Sequence, residues 1–204
     1  MSVPIPKIPT YETNGANIVL YKMQNGILKV LLQKGATRKT WELPGGGLQY
    51  DRHGSHPEGG GENFRQCVSR ELREETGITI SPGSCILEAQ LQQRKRIEPL
   101  PDCFVIGMVM LYSLYFEADM ADLTLQISEV SDVKYWDLQD ALKATSGPDS
   151  SDQVVLLGHR RMLAIFFQRF VKRQRGTQTP HPFEADLSET VRLLSPFDGN
   201  LLSI

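Results

Sequence analysis

Cysteine is scarce, with Cys67, Cys85 and Cys103 the only three in 204 residues. An odd, widely spaced set offers neither a disulfide framework nor a metal-binding pair, so a reducing, cytoplasmic setting is expected. Charge of one sign is also lacking: 22 basic and 24 acidic side chains leave a net charge of -2. No global field draws the chain to DNA or to an anionic membrane, and no DNA partner is expected. An anionic substrate must be held by local Arg, Lys, backbone amides or bound cations. Long apolar runs are missing too. The longest, Phe104 to Phe116, is too short to cross a bilayer as a helix, and no membrane partner is expected. Met1 to Pro9 has no apolar signal core, and its three prolines point to an extended arm over 1–15. There is no internal repeat. The 40% apolar and 23% charged fractions fit a globular chain. The length suits one domain over 16–175 with a C-terminal extension over 176–204.

Ala16 to Lys22 and Ile27 to Gln33 are β-rich runs separated by Gln24-Asn25-Gly26, a hairpin signal because Asn and Gly tolerate positive φ. Trp41-Glu42-Leu43-Pro44 leads into Gly45-Gly46-Gly47, read as a turn where backbone can approach a ligand. Tyr50 to Gly61 is a polar, Gly-rich loop. Glu62 to Glu75 reads as a helix stopped at Gly77. Strands are expected at Cys85 to Leu91, at Phe104 to Phe116 as a central buried strand, and at Val133 to Trp136. Leu138 to Ala144 reads as a short helix, Asp152 to Arg173 as a longer one, and Phe183 to Leu194 as a last helix placed to dock on the body or on a second subunit. The alternation gives a mixed α/β sandwich.

The early helix carries the chemistry. Phe64, Cys67, Val68 and Leu72 form an apolar stripe. With about 100° per residue, Glu71 and Glu75 fall within about 20° of Phe64, and Glu74 about 80° away. All three therefore lie on the same side as the stripe, and the face that begins as core ends in a cluster of three acids. Glu71 and Glu75 are also an i,i+4 like-charge pair, which costs a few tenths of a kcal/mol even when solvated. Crowding beside a core stripe raises carboxylate pKa values unless a cation is present, and hard Mg²⁺ or Mn²⁺ suits oxygen ligands. The bland alternative is a solvated, salt-bridged helix end with Arg70 and Glu74 as an i,i+4 pair.

Arg70-Glu71-Leu72-Arg73-Glu74-Glu75-Thr76-Gly77-Ile78 resembles the second half of the Nudix signature. Glu62, with seven residues between it and Arg70, fills the earlier glutamate, and Leu43-Pro44-Gly45-Gly46 resembles the turn that precedes it. One position departs: the signature glycine would fall at 56, which is His56. With Gly46 in that role, about ten extra residues are inserted within Gln49 to Gly61. The resemblance implies a Nudix-type α/β/α sandwich with a mixed sheet, a Mg²⁺ or Mn²⁺ cofactor, and hydrolysis of a nucleoside diphosphate linked to another moiety. It implies Glu71, Glu74 and Glu75 as metal ligands, Arg70 orienting a glutamate, Glu62 supporting the site and the Gly46 carbonyl facing the metal. Glu129, in a loop before a late strand, has the context of the general base in relatives.

Weaker signals remain. Gln93-Arg94-Lys95-Arg96 could present Arg94 and Arg96 to phosphates, or be a solvated loop. His53 and His56 fit no zinc spacing. Trp41, Tyr21 and Phe104 suit core packing better than base stacking. Gly45-Gly46-Gly47 lacks the Lys-Ser/Thr of a P-loop. Three functions are compatible: a pyrophosphohydrolase for ADP-ribose, a dinucleoside polyphosphate or a nucleoside triphosphate; a non-catalytic nucleotide-binding regulatory module; and an RNA 5′-end pyrophosphohydrolase. The last normally wants a larger basic surface. The segment after Pro182 could serve a homodimer.

Overall fold

Asn25 and Gly26 take φ of 53° and 76°, the pair of left-handed residues that turns one strand tightly back on its neighbour. The computed structural model describes residues 11–12, 14–49, 61–97, 100–117, 120–144 and 154–176. Within them, β1 (Tyr11–Glu12) precedes the hairpin β2 (Gly15–Gln24) and β3 (Ile27–Gly35), and two short strands follow, β4 (Trp41–Glu42) and β5 (Gly45–Gly47). Helix α1 (Phe64–Thr76) leads to the long antiparallel pair β6 (Ile86–Ile97) and β7 (Leu100–Tyr115). β8 (Val130–Asp137), α2 (Leu138–Lys143) and α3 (Leu157–Arg175) complete the described chain.

The strands form one mixed sheet in the order β1-β7-β2-β3-β4, with β6 on β7, β8 on β3 and β5 on β2. β7 runs parallel to both β1 and β2, and the other pairings are antiparallel. Alternation along β2 and β3 builds two cores. Val19, Val30 and Leu32 face α2 and α3, packing with Leu163, Phe166 and Phe170. Ile18, Leu20 and Leu31 face α1, packing with Cys67, Val68 and Leu72. This is the α/β/α sandwich read from the sequence.

Several boundaries move, each for a physical reason. Tyr11–Glu12, placed in the arm, pair with Val105 and Ile106 of β7. Gly45–Gly47 is a strand and not a turn, since its backbone pairs with Gly15, Ala16 and Asn17. α1 starts two residues later than expected because Asn63 caps it. The basic run Gln93–Arg96 is strand, in register with Phe104 to Gly107, and not loop. α3 begins at Leu157 because the preceding chain is held extended: the Trp41 N–H donates to Val154 and the Leu156 N–H to Trp41. The expected helix over 183–194 and the histidines at 53 and 56 lie outside the described residues. Among the described residues, no helix is long and apolar enough to cross a membrane.

Candidate active site

α1 is capped at both ends. The Asn63 side chain accepts the N–H groups of Arg65 and Gln66 at 3.0 Å each, while the Gln66 side chain accepts the Asn63 N–H at 2.9 Å. This reciprocal cap satisfies orphan donors of the first turn. Gly77, at φ 77°, ends the helix by donating its N–H to Arg73.

Arg70 is the hub of the exposed side. Its Nε and Nη2 donate to the two oxygens of Glu62 at 2.7 and 3.0 Å, Nη1 donates to Glu74 at 2.9 Å, and Nη2 also reaches the Gly47 carbonyl at 3.0 Å and Glu71 at 2.9 Å. Burial alone would raise the Glu62 carboxyl, but the Arg70 fork and the Gln49 N–H hold it below its ordinary value. That N–H, 3.0 Å from Glu62, also closes the base of the insertion, whose residues 50–60 lie outside the described set.

Glu71 and Glu75 press onto the glycine strand from the helix side. A Cβ on Gly46 would sit 2.4 Å from the Glu71 carboxylate, so only glycine admits that side chain there. Gly45, at φ 142°, donates its N–H to Glu75 at 3.1 Å. Burial pushes Glu75 up to about 8, partly offset by hydrogen bonds from the Gln33 side chain and the Gly45 N–H. Burial also raises Glu71, against the pull of Arg70. Glu71 shares the Arg70 guanidinium with Glu62 and Glu74, and Glu75 is met by neutral donors, the Gln33 side chain and the Gly45 N–H. The two crowded acids beside Gly46 make an oxygen-donor set that fits a hard divalent ion.

Next to β5 opens a cleft of about 320 Å³, lined by Asn17, Arg38, Glu42, Leu43, Gly45 to Gly47 and His159 among others. His159 Nδ1 accepts the Leu43 N–H at 2.9 Å. Burial, then the charge of Arg38, push this imidazole down to about 4.

A family profile, the NUDIX domain, matches residues 12–157. The chain belongs to the Nudix family. Its fold is similar to that of solved Nudix proteins. The Nudix domain of Shewanella oneidensis NrtR, complexed with ADP ribose, is 22% identical with a TM-score of 0.57, covering 82% of this chain and 94% of that one. A Caenorhabditis elegans Ap4A hydrolase binary complex is 18% identical with a TM-score of 0.52, covering 78% and 98%. NrtR complexed with a 27mer DNA is 22% identical with a TM-score of 0.52, covering 78% and 63%. A search of curated proteins finds no match.

In this Nudix domain, the residues singled out from the sequence divide clearly. Glu71, Glu75 and Gly46 come together. Glu74 does not join them: its side chain is 41% exposed and paired with Arg70, and among the described residues no three acids form a ready metal site. Glu129 ends the Ile127–Glu129 turn before β8, exposed, its carboxylate accepting from the Gln126 side chain at 3.3 Å. The same loop is tied to the end of the Nudix helix, where Gln126 N–H meets the Glu75 carbonyl at 3.2 Å and Thr124 N–H the Thr76 carbonyl at 3.0 Å. Arg94 and Arg96 lie on β6, and their side chains fall outside the described residues. Trp41 is core, packed edge-on to Trp136 at 5.4 Å. Gln33, 2% exposed beneath Glu75, and His159 were not singled out. A polar residue in an apolar strand was the available signal for Gln33. For His159 there was none, because its role depends on Leu43 arriving from far along the chain.

Proposed function

We propose that this Nudix domain is a Mg²⁺- or Mn²⁺-dependent hydrolase that cleaves the diphosphate bond of a nucleoside diphosphate linked to another moiety. The observation that carries this is the placement of Glu71 and Glu75 on Gly45 and Gly46: two acids held against backbone, sharing at most one arginine that also serves Glu62 and Glu74, where a Cβ would close the gap. Glu71, Glu75 and the Gly46 carbonyl would hold the ion, with Glu74 joining on release from Arg70. The bound ion supplies charge neutralisation of the phosphate oxygens and a more acidic water. The protein does the rest. Arg70 fixes Glu71 and Glu62. Glu129 takes the proton as the water oxygen bonds to phosphorus and the anhydride P–O bond breaks, leaving two phosphate monoesters when a disubstituted diphosphate is cut.

ADP-ribose, dinucleoside polyphosphates and nucleoside triphosphates form the substrate panel, and turnover with either metal is the test. E75Q and E71Q should each lower kcat at least about 100-fold with the fold intact, the range seen when one group of a preorganised site is removed. A full panel without turnover would sink the hydrolase reading. One observation favours a second reading, a nucleotide-sensing module: Glu74 is engaged with Arg70, not gathered with the other acids. Nucleotide affinity unchanged in E75Q, together with no turnover in the wild type, would select it.

A further inference from the structure

The segment against which the acids press has a second tenant. Leu43 donates its N–H to His159 and Gly45 donates its N–H to Glu75. The two lie two residues apart, at most about 7 Å along an extended chain. The cleft and the acid pair are therefore neighbouring compartments that share one segment.

His159 is the third residue of α3, and its position is fixed from both sides. The backbone bonds between Trp41 and residues Val154 and Leu156 pin the chain entering the helix, and the Leu43 N–H pins the ring. Because Nδ1 accepts that N–H, it cannot carry a hydrogen, so the neutral ring holds its proton on Nε2. His159 lines the cleft, and with Nδ1 taken by Leu43, Nε2–H is the donor the ring offers to a ligand there. The cleft thus contains a fixed, uncharged donor. The charges beside it nearly cancel: Arg38 lies 3.8 Å from Glu42. Such a compartment has no excess positive charge for a diphosphate. It matches a ligand that is neutral and rich in acceptors, and about 320 Å³ falls in the range of small-ligand sites.

The geometry points to this cleft as the seat of the uncharged nucleoside end of the substrate, with His159 Nε2–H donating to it. This assignment rests on the diphosphate-hydrolase reading for its substrate, but its test does not depend on turnover.

The four ordinary nucleosides and, separately, pyrophosphate are titrated into ¹⁵N-histidine-labelled protein, with the His159 signals assigned by their loss in H159Q. At least one nucleoside should shift the His159 ring nitrogens, and pyrophosphate should leave them in place. In the Mg²⁺-loaded enzyme, H159L should raise KM for the best substrate about tenfold, the loss of one hydrogen bond, with kcat within about twofold. H159Q, which keeps a donor and an acceptor, should recover most of it. If H159L fails to fold for want of the Leu43 bond, the titration and H159Q still decide. Pyrophosphate shifting the ring as nucleosides do would make the cleft a phosphate site and overturn the assignment. So would nucleosides that shift nothing, or a KM unmoved in H159L. Nucleoside shifts without turnover of any diphosphate would sink the hydrolase reading and leave the cleft assignment standing. Turnover without nucleoside shifts would do the reverse.

Discussion

Two adjacent glycines do different work. Gly45 adopts a φ of 142°, and a Cβ there would meet the Ala16 carbonyl oxygen at 2.2 Å, backbone against backbone. G45A should therefore cost about 3 kcal/mol or more in stability, measured by urea unfolding. A Cβ on Gly46 meets only the end of the Glu71 side chain, which can swing away. G46A should fold with a loss of about 1–2 kcal/mol while kcat drops about 100-fold, as a misplaced catalytic group does. Glu75 makes a prediction with a sign. Its folded value of about 8 lies above the ordinary 4.5, so the native state binds its proton more tightly than the unfolded chain. The resulting stabilisation is complete below about 4.5 and lost as pH rises through about 8. Without metal, the thermal midpoint should fall between pH 5 and 8; E75Q should flatten this decline, and Mn²⁺ at pH 8 should reverse it. Glu62, held low by Arg70, acts in the separate window below 4.5, so the two effects do not overlap.

Among the elements, α1 was the most legible in sequence. Its stripe places Glu71, Glu74 and Glu75 together on the core-facing side; Glu71 and Glu75 are 14% and 7% exposed there, while Glu74 is 41% exposed. Stripe and signature both group the three acids; the i,i+4 pair of Arg70 with Glu74, the bland alternative, is what draws Glu74 away. N63A should cost the helix about 1 kcal/mol through loss of the cap. α3 is held differently, by a staple that the sequence did not reveal. Arg173 forks onto Glu88 at 2.6 and 2.7 Å, Ser113 donates to the same carboxylate, and Glu88 is fully buried. Residues 85 positions apart have no local pattern to betray them. E88A leaves Arg173 and Ser113 without their acceptor and should destabilise by about 3–5 kcal/mol, whereas E88L with R173M should recover much of that loss. A double-mutant cycle measures the coupling directly. β5 was misread for a related reason: three glycines carry no side-chain pattern, and only the opposing backbone of β2 makes them a strand.

At the scale of the whole molecule, the two cores share strands. Val30 and Leu32 enter one core and Leu31 the other, on the same stretch of β3. Neither layer can lose its sheet without exposing the other. Thermal unfolding followed by helix signal and by Trp41 and Trp136 fluorescence should therefore coincide in one transition. The alternation that creates this sharing was readable in sequence, as was the Asn25-Gly26 hairpin. What the sequence left open was the meeting of distant pieces: His159 with Leu43, Gln33 with Glu75, the Val154–Leu156 segment with Trp41. Each of these brings function or order to a residue whose neighbours in the chain say nothing about it.

The contact between the Gln49 N–H and Glu62 has a consequence for how such an enzyme can change. It joins the two ends of the insertion at the point where the Nudix helix begins, on the same carboxylate that steadies Arg70. The closure entropy of a longer or shorter excursion is borne at that clasp, and each doubling of its length adds only about 0.6 kcal/mol. Variants lengthened or trimmed within 50–60 should therefore keep kcat within about twofold, and a kcat that falls with loop length would show that the clasp does not isolate the acids.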